Sequence, residues 1–179
     1  QTNPLEELGA GVHMFGASAA PLVEGNRIYL PVGADGAAVV ALDADTGKLV
    51  WKTTGPAPTS VAPLVFSPRS GSASASPQLI YTNVRGLRGL DLASGRMLWE
   101  FVLAEQPTTT LPPPTLVDSL LLASSMVSGT VGLRAESAGG QPSVREMWRN
   151  SDVRCYFTHG LAVGEQLYIV HATLQPEAD

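Results

Sequence analysis

Ala41-Leu42-Asp43-Ala44-Asp45-Thr46-Gly47-Lys48-Leu49-Val50-Trp51 returns as Gly89-Leu90-Asp91-Leu92-Ala93-Ser94-Gly95-Arg96-Met97-Leu98-Trp99. A more divergent copy runs from Leu133 to Trp148, so that Trp51, Trp99 and Trp148 recur about every 48 residues. A fixed period of that size signals a propeller or a solenoid. Within each copy the chemistry is local. Asp43 or Asp91 closes a turn by accepting backbone N–H groups two or three residues on. Thr46 or Ser94 adds a second side-chain bond, and Gly47 or Gly95 supplies the left-handed backbone that the turn needs. Trp51 and Trp99 follow four residues later and offer about 150–250 Å² of surface for a neighbouring sheet.

Working outward, each copy is the second half of a four-stranded unit. In the first, Ser18–Val23 reads as extended, Arg27–Val32 alternates as a strand, Asp35-Gly36 signals a hairpin, and Ala38–Asp43 and Lys48–Thr53 complete the set. In the second, Pro63–Val65, Gln78–Asn83, Leu87–Leu92 and Met97–Val102 repeat the plan around a Ser-, Ala- and Pro-rich insertion, Ser67–Pro77. The third comprises Pro114–Val117, Leu120–Ser124, Thr130–Ala135 and Val144–Trp148, with Ala138-Gly139-Gly140 expanding the compact turn. A fourth starts near Thr158–Gly164, continues through Gln166–Val170, and gives way to the polar tail Gln175–Asp179. The expectation is an all-β chain, one partial β-propeller over residues 1–179. Its antiparallel four-stranded blades lie near 18–55, 59–104 and 113–150, with an incomplete one at 158–172.

The pattern Ala-x-Asp-x-x-x-Gly-Lys-x-x-Trp at 41–51 resembles the tryptophan-docking motif of PQQ-type (quinoprotein) β-propeller repeats. Pro21–Tyr29 is similar to the first half of the same repeat, and the resemblance extends over about Ala20–Ala172. It implies structural blade-docking roles for Asp43, Gly47, Trp51, Asp91, Gly95, Trp99 and Trp148. For function it implies one of several outcomes, because the motif is shared by quinone-dependent dehydrogenases, BamB-type outer-membrane assembly scaffolds and sensor domains of stress receptors. BamB-like, non-catalytic members fit best. A dehydrogenase of this family would need PQQ with Ca²⁺ and an aspartate base, and its alcohol-oxidising members add an adjacent cysteine pair. This chain has one cysteine, and its acidic residues sit mostly at turns (Asp35, Asp43, Asp45, Asp91) or in the termini, with no cluster supplying six to eight oxygens. No cofactor and no metal are therefore expected, and catalysis is not. The alternative is a piece of a PQQ-dependent dehydrogenase whose catalytic residues lie outside this chain. A periplasmic or extracytoplasmic location follows from the resemblance.

Bulk composition agrees with many short strands: 18 Gly, 14 Pro and only 15% charged residues in 179. A net charge of −5 without a Lys/Arg cluster argues against a nucleic-acid surface. No run of about 20 apolar residues predicts a spanning helix. No initiator Met or leader is present, so Gln1 begins either a mature form or an excised piece. Cys155 and His159, four apart, lack a third ligand or partner, and Cys155 reads as a small buried residue. His13 and His171 have no carboxylate or cysteine neighbour in sequence. Gly9-Ala10-Gly11 with Gly16 follows no strand and opens no helix, so it is not a dinucleotide loop. Arg85, Arg88, Arg134, Arg145, Arg149 and Arg154 read as solvated positions, with Arg85 the one placed to line a rim. Closed propellers commonly contain about four to eight blades. The remaining blades are expected from another chain, from further sequence or from an associated copy. Protein–protein interaction within a larger assembly is the expected function.

Overall fold

The computed structural model describes residues 3–10, 19–59, 62–67, 76–104, 111–138, 141–156, 158, 160–164 and 166–171. Three four-stranded antiparallel sheets follow one another in chain order. Sheet 1 contains β1 (Leu22–Glu24), β2 (Arg27–Ala34), β3 (Ala37–Asp43) and β4 (Leu49–Thr53). Sheet 2 contains β5 (Leu64–Phe66), β6 (Gln78–Asn83), β7 (Gly86–Asp91) and β8 (Met97–Val102). Sheet 3 contains β9 (Thr115–Val117), β10 (Leu120–Ser125), β11 (Gly129–Ala138) and β12 (Gln141–Asn150). A two-stranded sheet, β13 (Leu161–Val163) with β14 (Gln166–Tyr168), begins a fourth. This is a partial β-propeller. A single helical turn, α1 (Pro4–Glu7), precedes it.

Short loops set the register. The β1–β2 hairpin turns at Gly25-Asn26 and the β2–β3 hairpin at Asp35-Gly36, with φ of +55° and +71° at the glycines, values that glycine adopts without strain. Each sheet then carries a register shift at one equivalent point: between Ala41 and Leu42, Gly89 and Leu90, and Gly132 and Leu133. In every case the residue before the shift lies opposite a tryptophan, giving the pairs Ala41–Trp51, Gly89–Trp99 and Gly132–Trp148. The bulge re-aims the indole, and a small residue across the ladder makes room for it.

Both faces of the middle strands are covered, so they read as nearly continuous apolar runs rather than alternating ones. On β3, Val39 and Ala41 join Tyr29, Trp51, Leu79, Tyr81 and Leu90 in the layer between sheets 1 and 2. Val40 and Leu42 point the other way and pack with Val32, Ala34 and Ala37 beneath Leu8 and Ala10 of the N-terminal segment. Between sheets 2 and 3 the layer is built from Ile80, Leu87, Trp99, Leu121, Val131, Leu133 and their neighbours. At roughly 25 cal/mol per Å² of buried apolar area, these layers are the main favourable term holding sheet to sheet.

The structure departs from the sequence reading at several points. The second sheet's third strand begins at Gly86 rather than Leu87, and within the segment read as extended β1 spans Leu22–Glu24, while Ser18 lies outside the described residues. The expanded turn of the third unit is itself paired strand: β11 and β12 continue in register to Ala138 and Gln141. Residues 135–137 stand opposite 142–144 in the ladder there, so backbone groups that a loop would leave to water lie within paired strands. Trp148 lies at the expected register position but is 38% exposed, whereas Trp51 and Trp99 are 8% and 6% exposed. His13, Gly16, His159, most of the insertion at 68–75, Gly139, Gly140 and the tail from 172 lie outside the described residues.

Candidate docking sites between the sheets

The two acid-capped turns are superimposable in their bonding. Asp43 Oδ1 accepts from Thr46 N (2.9 Å) and Thr46 Oγ1 (2.7 Å), and Asp91 Oδ1 accepts from Ser94 N (2.8 Å) and Ser94 Oγ (2.5 Å). Gly47 N and Gly95 N donate to the carbonyls of Asp43 and Asp91 at 2.8 Å, with φ of +69° and +72° at the glycines. Asp43 also accepts from Arg27 Nη1 and Asn26 Nδ2, each at 3.1 Å. The hydrogen bonds from Thr46 are the chief reason that its pKa lies below the ordinary 3.8, with the Arg27 charge adding to them.

The second turn is also a receptor. Trp51 of sheet 1 reaches across and lies against Gly95, where a Cβ would stand 2.7 Å from Trp51 Cδ2 and nearer still to Cε3. Its indole N–H donates to Leu92 O (3.3 Å), and the Tyr29 hydroxyl donates to the same carbonyl at 3.5 Å. The two rings stand 5.7 Å apart, tilted by 42°. Burial raises the Tyr29 pKa. One carbonyl at the tip of one sheet thus gathers two aromatic donors from the next.

Trp99 is held differently. Its N–H donates to Gln78 Oε1 (2.7 Å) within its own sheet, and its ring lies on Gly89, where any side chain would overlap it. Where sheet 1 meets the compact turn of sheet 2, sheet 2 meets the long β11–β12 hairpin, and Arg134 stands in the register row of Asp43 and Asp91. Trp148 lies on Gly132 in the same manner as Trp99 on Gly89. The small residue under each indole, Ala41, Gly89 or Gly132, was the unread signal in the repeat. Gln78 and the Leu92 carbonyl carry no mark in sequence.

The remaining polar groups are structural in form. Tyr81, Arg88 and Glu100 form a cross-strand row, with Arg88 Nε donating to Glu100 Oε1 (2.9 Å). Burial raises the Tyr81 pKa, partly opposed by Arg88. Burial lowers that of Arg88, but Glu100 and Tyr81 outweigh it, and the net shift is upward. Thr59 and Thr82 share a buried hydroxyl bond (2.5 Å) next to Leu111 O. Cys155 is buried and its backbone N–H donates to Ser124 Oγ (3.0 Å). His171 Nδ1 accepts from Arg154 N (3.2 Å). Arg145–Glu136 and Arg149–Glu146 pair at 2.6 and 2.7 Å on the surface, where such pairs are worth about 0–1 kcal/mol.

Two open grooves flank the sheet 1–sheet 2 joint. One of about 520 Å³ is bordered by Lys52, Gly55, Arg88 and Arg96, the other of about 570 Å³ by Arg27, Tyr29, Asp91 and Leu92. Among the described residues, no three His, Cys, Asp or Glu side chains converge. The first strands β1, β5, β9 and β13 carry one carboxylate, Glu24. A Ca²⁺–quinone pair needs six to eight oxygens about the metal alone, and the described residues do not fit it. Among the described residues no helix is long and apolar enough to cross a membrane.

A family model described as outer membrane protein assembly factor BamB, built on the PQQ-like repeat, matches residues 8–177. The chain belongs to that family. Its fold is similar to that of the crystal structure of BamB from Moraxella catarrhalis, with a TM-score of 0.56 and 19% identity over 85% of this chain. The chain spans 42% of that protein's length. No curated protein matches it in sequence. BamB-family membership and the partial propeller agree with the resemblance carried by the repeat.

Proposed function

We propose that this chain is a non-catalytic propeller segment that docks other protein chains within a larger assembly in the periplasm or at another extracytoplasmic location. The carrying observation is how its conspicuous polar residues are employed. Asp43, Asp91, Thr46 and Ser94 are consumed by their own turns, and the indole N–H groups of Trp51 and Trp99 by carbonyl acceptors within the propeller. What remains for other molecules is rim, groove and edge, the surfaces suited to protein contact. Family membership supports the assembly setting.

The test has two arms. Photo-crosslinking residues placed at Lys52, Arg85 and Arg96 in the host cell should trap defined protein partners on the envelope side. Titration with PQQ and Ca²⁺, followed by quinone absorbance and by turnover of an alcohol or sugar, should show neither saturable binding nor product. Turnover would overturn the scaffold reading in favour of a dehydrogenase segment.

A further inference from the structure

The cross-strand row of Tyr81, Arg88 and Glu100 leaves one polar group over. Arg88 Nε donates to Glu100 Oε1 (2.9 Å), which engages that carboxylate. Tyr81 is 1% exposed, and its hydroxyl is buried with no group in hydrogen-bonding geometry to it. Buried hydroxyls in folded proteins nearly always have a partner. The orphan does not stand alone. A Cβ on Gly55 would lie 2.9 Å from the Tyr81 hydroxyl and nearer still to Arg88 Nη1, so the two groups converge on one bare backbone position.

Gly55 and Arg88 border the groove of about 520 Å³ between sheets 1 and 2. Lys52 of β4 and Arg96 of the β7–β8 turn border it as well, both exposed. Among the described residues neither has an ion-pair partner. Three of the chain's 11 Lys and Arg thus meet at one groove, a local reversal of sign in a chain of net charge −5. Sheets 1 and 2, with the segment leaving β4, supply every residue of its border. Resting on the scaffold reading, we infer that this groove seats an aspartate or glutamate side chain from an acidic segment of a partner protein. One carboxylate oxygen accepts from Arg88 Nη1 and the other from the Tyr81 hydroxyl, while Lys52 and Arg96 hold the segment's further negative charge. A guanidinium engaged at Nε keeps its Nη donors for a second carboxylate, and charge-assisted bonds of this kind are the strong ones. Sign complementarity across a contact selects the partner and speeds encounter.

The probe is a blocked six-residue peptide of alternating aspartate and glycine, titrated into the intact protein by calorimetry. The protein's net charge opposes such a peptide elsewhere, so saturable one-to-one binding reports the groove. Binding should weaken with rising salt, and about tenfold or more in the exposed double variant Lys52→Glu, Arg96→Glu. Tyr81→Phe removes a hydroxyl that bonds to nothing in the chain. Its melting temperature should hold or rise while affinity falls about two- to tenfold. The asparagine counterpart of the peptide should not bind. No saturation by the aspartate peptide, equal binding of the asparagine peptide, or affinity indifferent to either variant would overturn the inference. So would a Tyr81→Phe protein that melts well below the parent, since its hydroxyl would then have had a partner. Inorganic phosphate binding more tightly than the peptide would mark a site for free anions and overturn it too. Any of these leaves crosslinking from Arg85, at the opposite end of β7 from Arg96, to test the scaffold reading alone. PQQ turnover would defeat that reading without altering the peptide result.

Discussion

The indole of Trp51 occupies the space that a side chain at Gly95 would need, although the two residues belong to different sheets. The glycine therefore answers two demands at once: a φ of +72° within its turn and a bare surface for a neighbour's ring. Gly36 meets only the first demand, since at φ +71° a Cβ there would meet nothing within 4 Å.

This difference separates two alanine substitutions. Gly36→Ala should cost only the left-handed backbone strain, about 1–2 kcal/mol. Gly95→Ala adds the collision with Trp51, for a total of about 2–5 kcal/mol, with overpacking contributing about 1–3 of it. Chemical denaturation of the two variants side by side checks the ordering, and equal losses would contradict the contact.

Truncating the three tryptophans should not have equal effects. Trp51→Ala and Trp99→Ala empty buried sites and should cost about 3–5 kcal/mol each. Trp148→Ala removes a ring that is more than a third exposed, and about 1 kcal/mol or less is expected. Thermal melts of the three variants report the ranking.

Gln78 is buried, and the Trp99 N–H donates to its side-chain carbonyl. Trp99→Phe leaves that oxygen unanswered and should cost about 1–3 kcal/mol beyond the lost ring area. Adding Gln78→Leu should recover part of this loss. A double-mutant cycle measures the coupling, and additive losses would place the donor elsewhere.

Asp43 is held below its ordinary pKa by the hydrogen bonds from Thr46, with Arg27 assisting. The unfolded chain binds the proton at the ordinary value, so the turn's contribution is complete above it and disappears as pH falls through the lower folded value. Melting temperature should therefore decline on acidification below about pH 4, and Asp43→Asn should show a shallower decline. Melts of both proteins down to about pH 2 test the slope.

The repeat, the strand-forming segments and the acid-capped turns were legible in the sequence because each depends on neighbours a few residues away. A carboxylate reaches its own turn, glycine permits its own φ, and alternation or continuous apolarity reports the faces of one strand. The family was legible for the same reason, as its signature lies within eleven consecutive residues, Ala41–Trp51. Which partner each tryptophan finds was not. Trp51 takes a carbonyl 41 positions away and Trp99 a glutamine in its own sheet, because the element facing Trp51 is a compact turn while the one facing Trp99 is a long hairpin. Trp148, identical in register, is 38% exposed where Trp51 and Trp99 are buried, a difference that its local sequence does not announce. Local chemistry is written in the chain, whereas the occupant of the space above a side chain is determined only when distant segments are brought together.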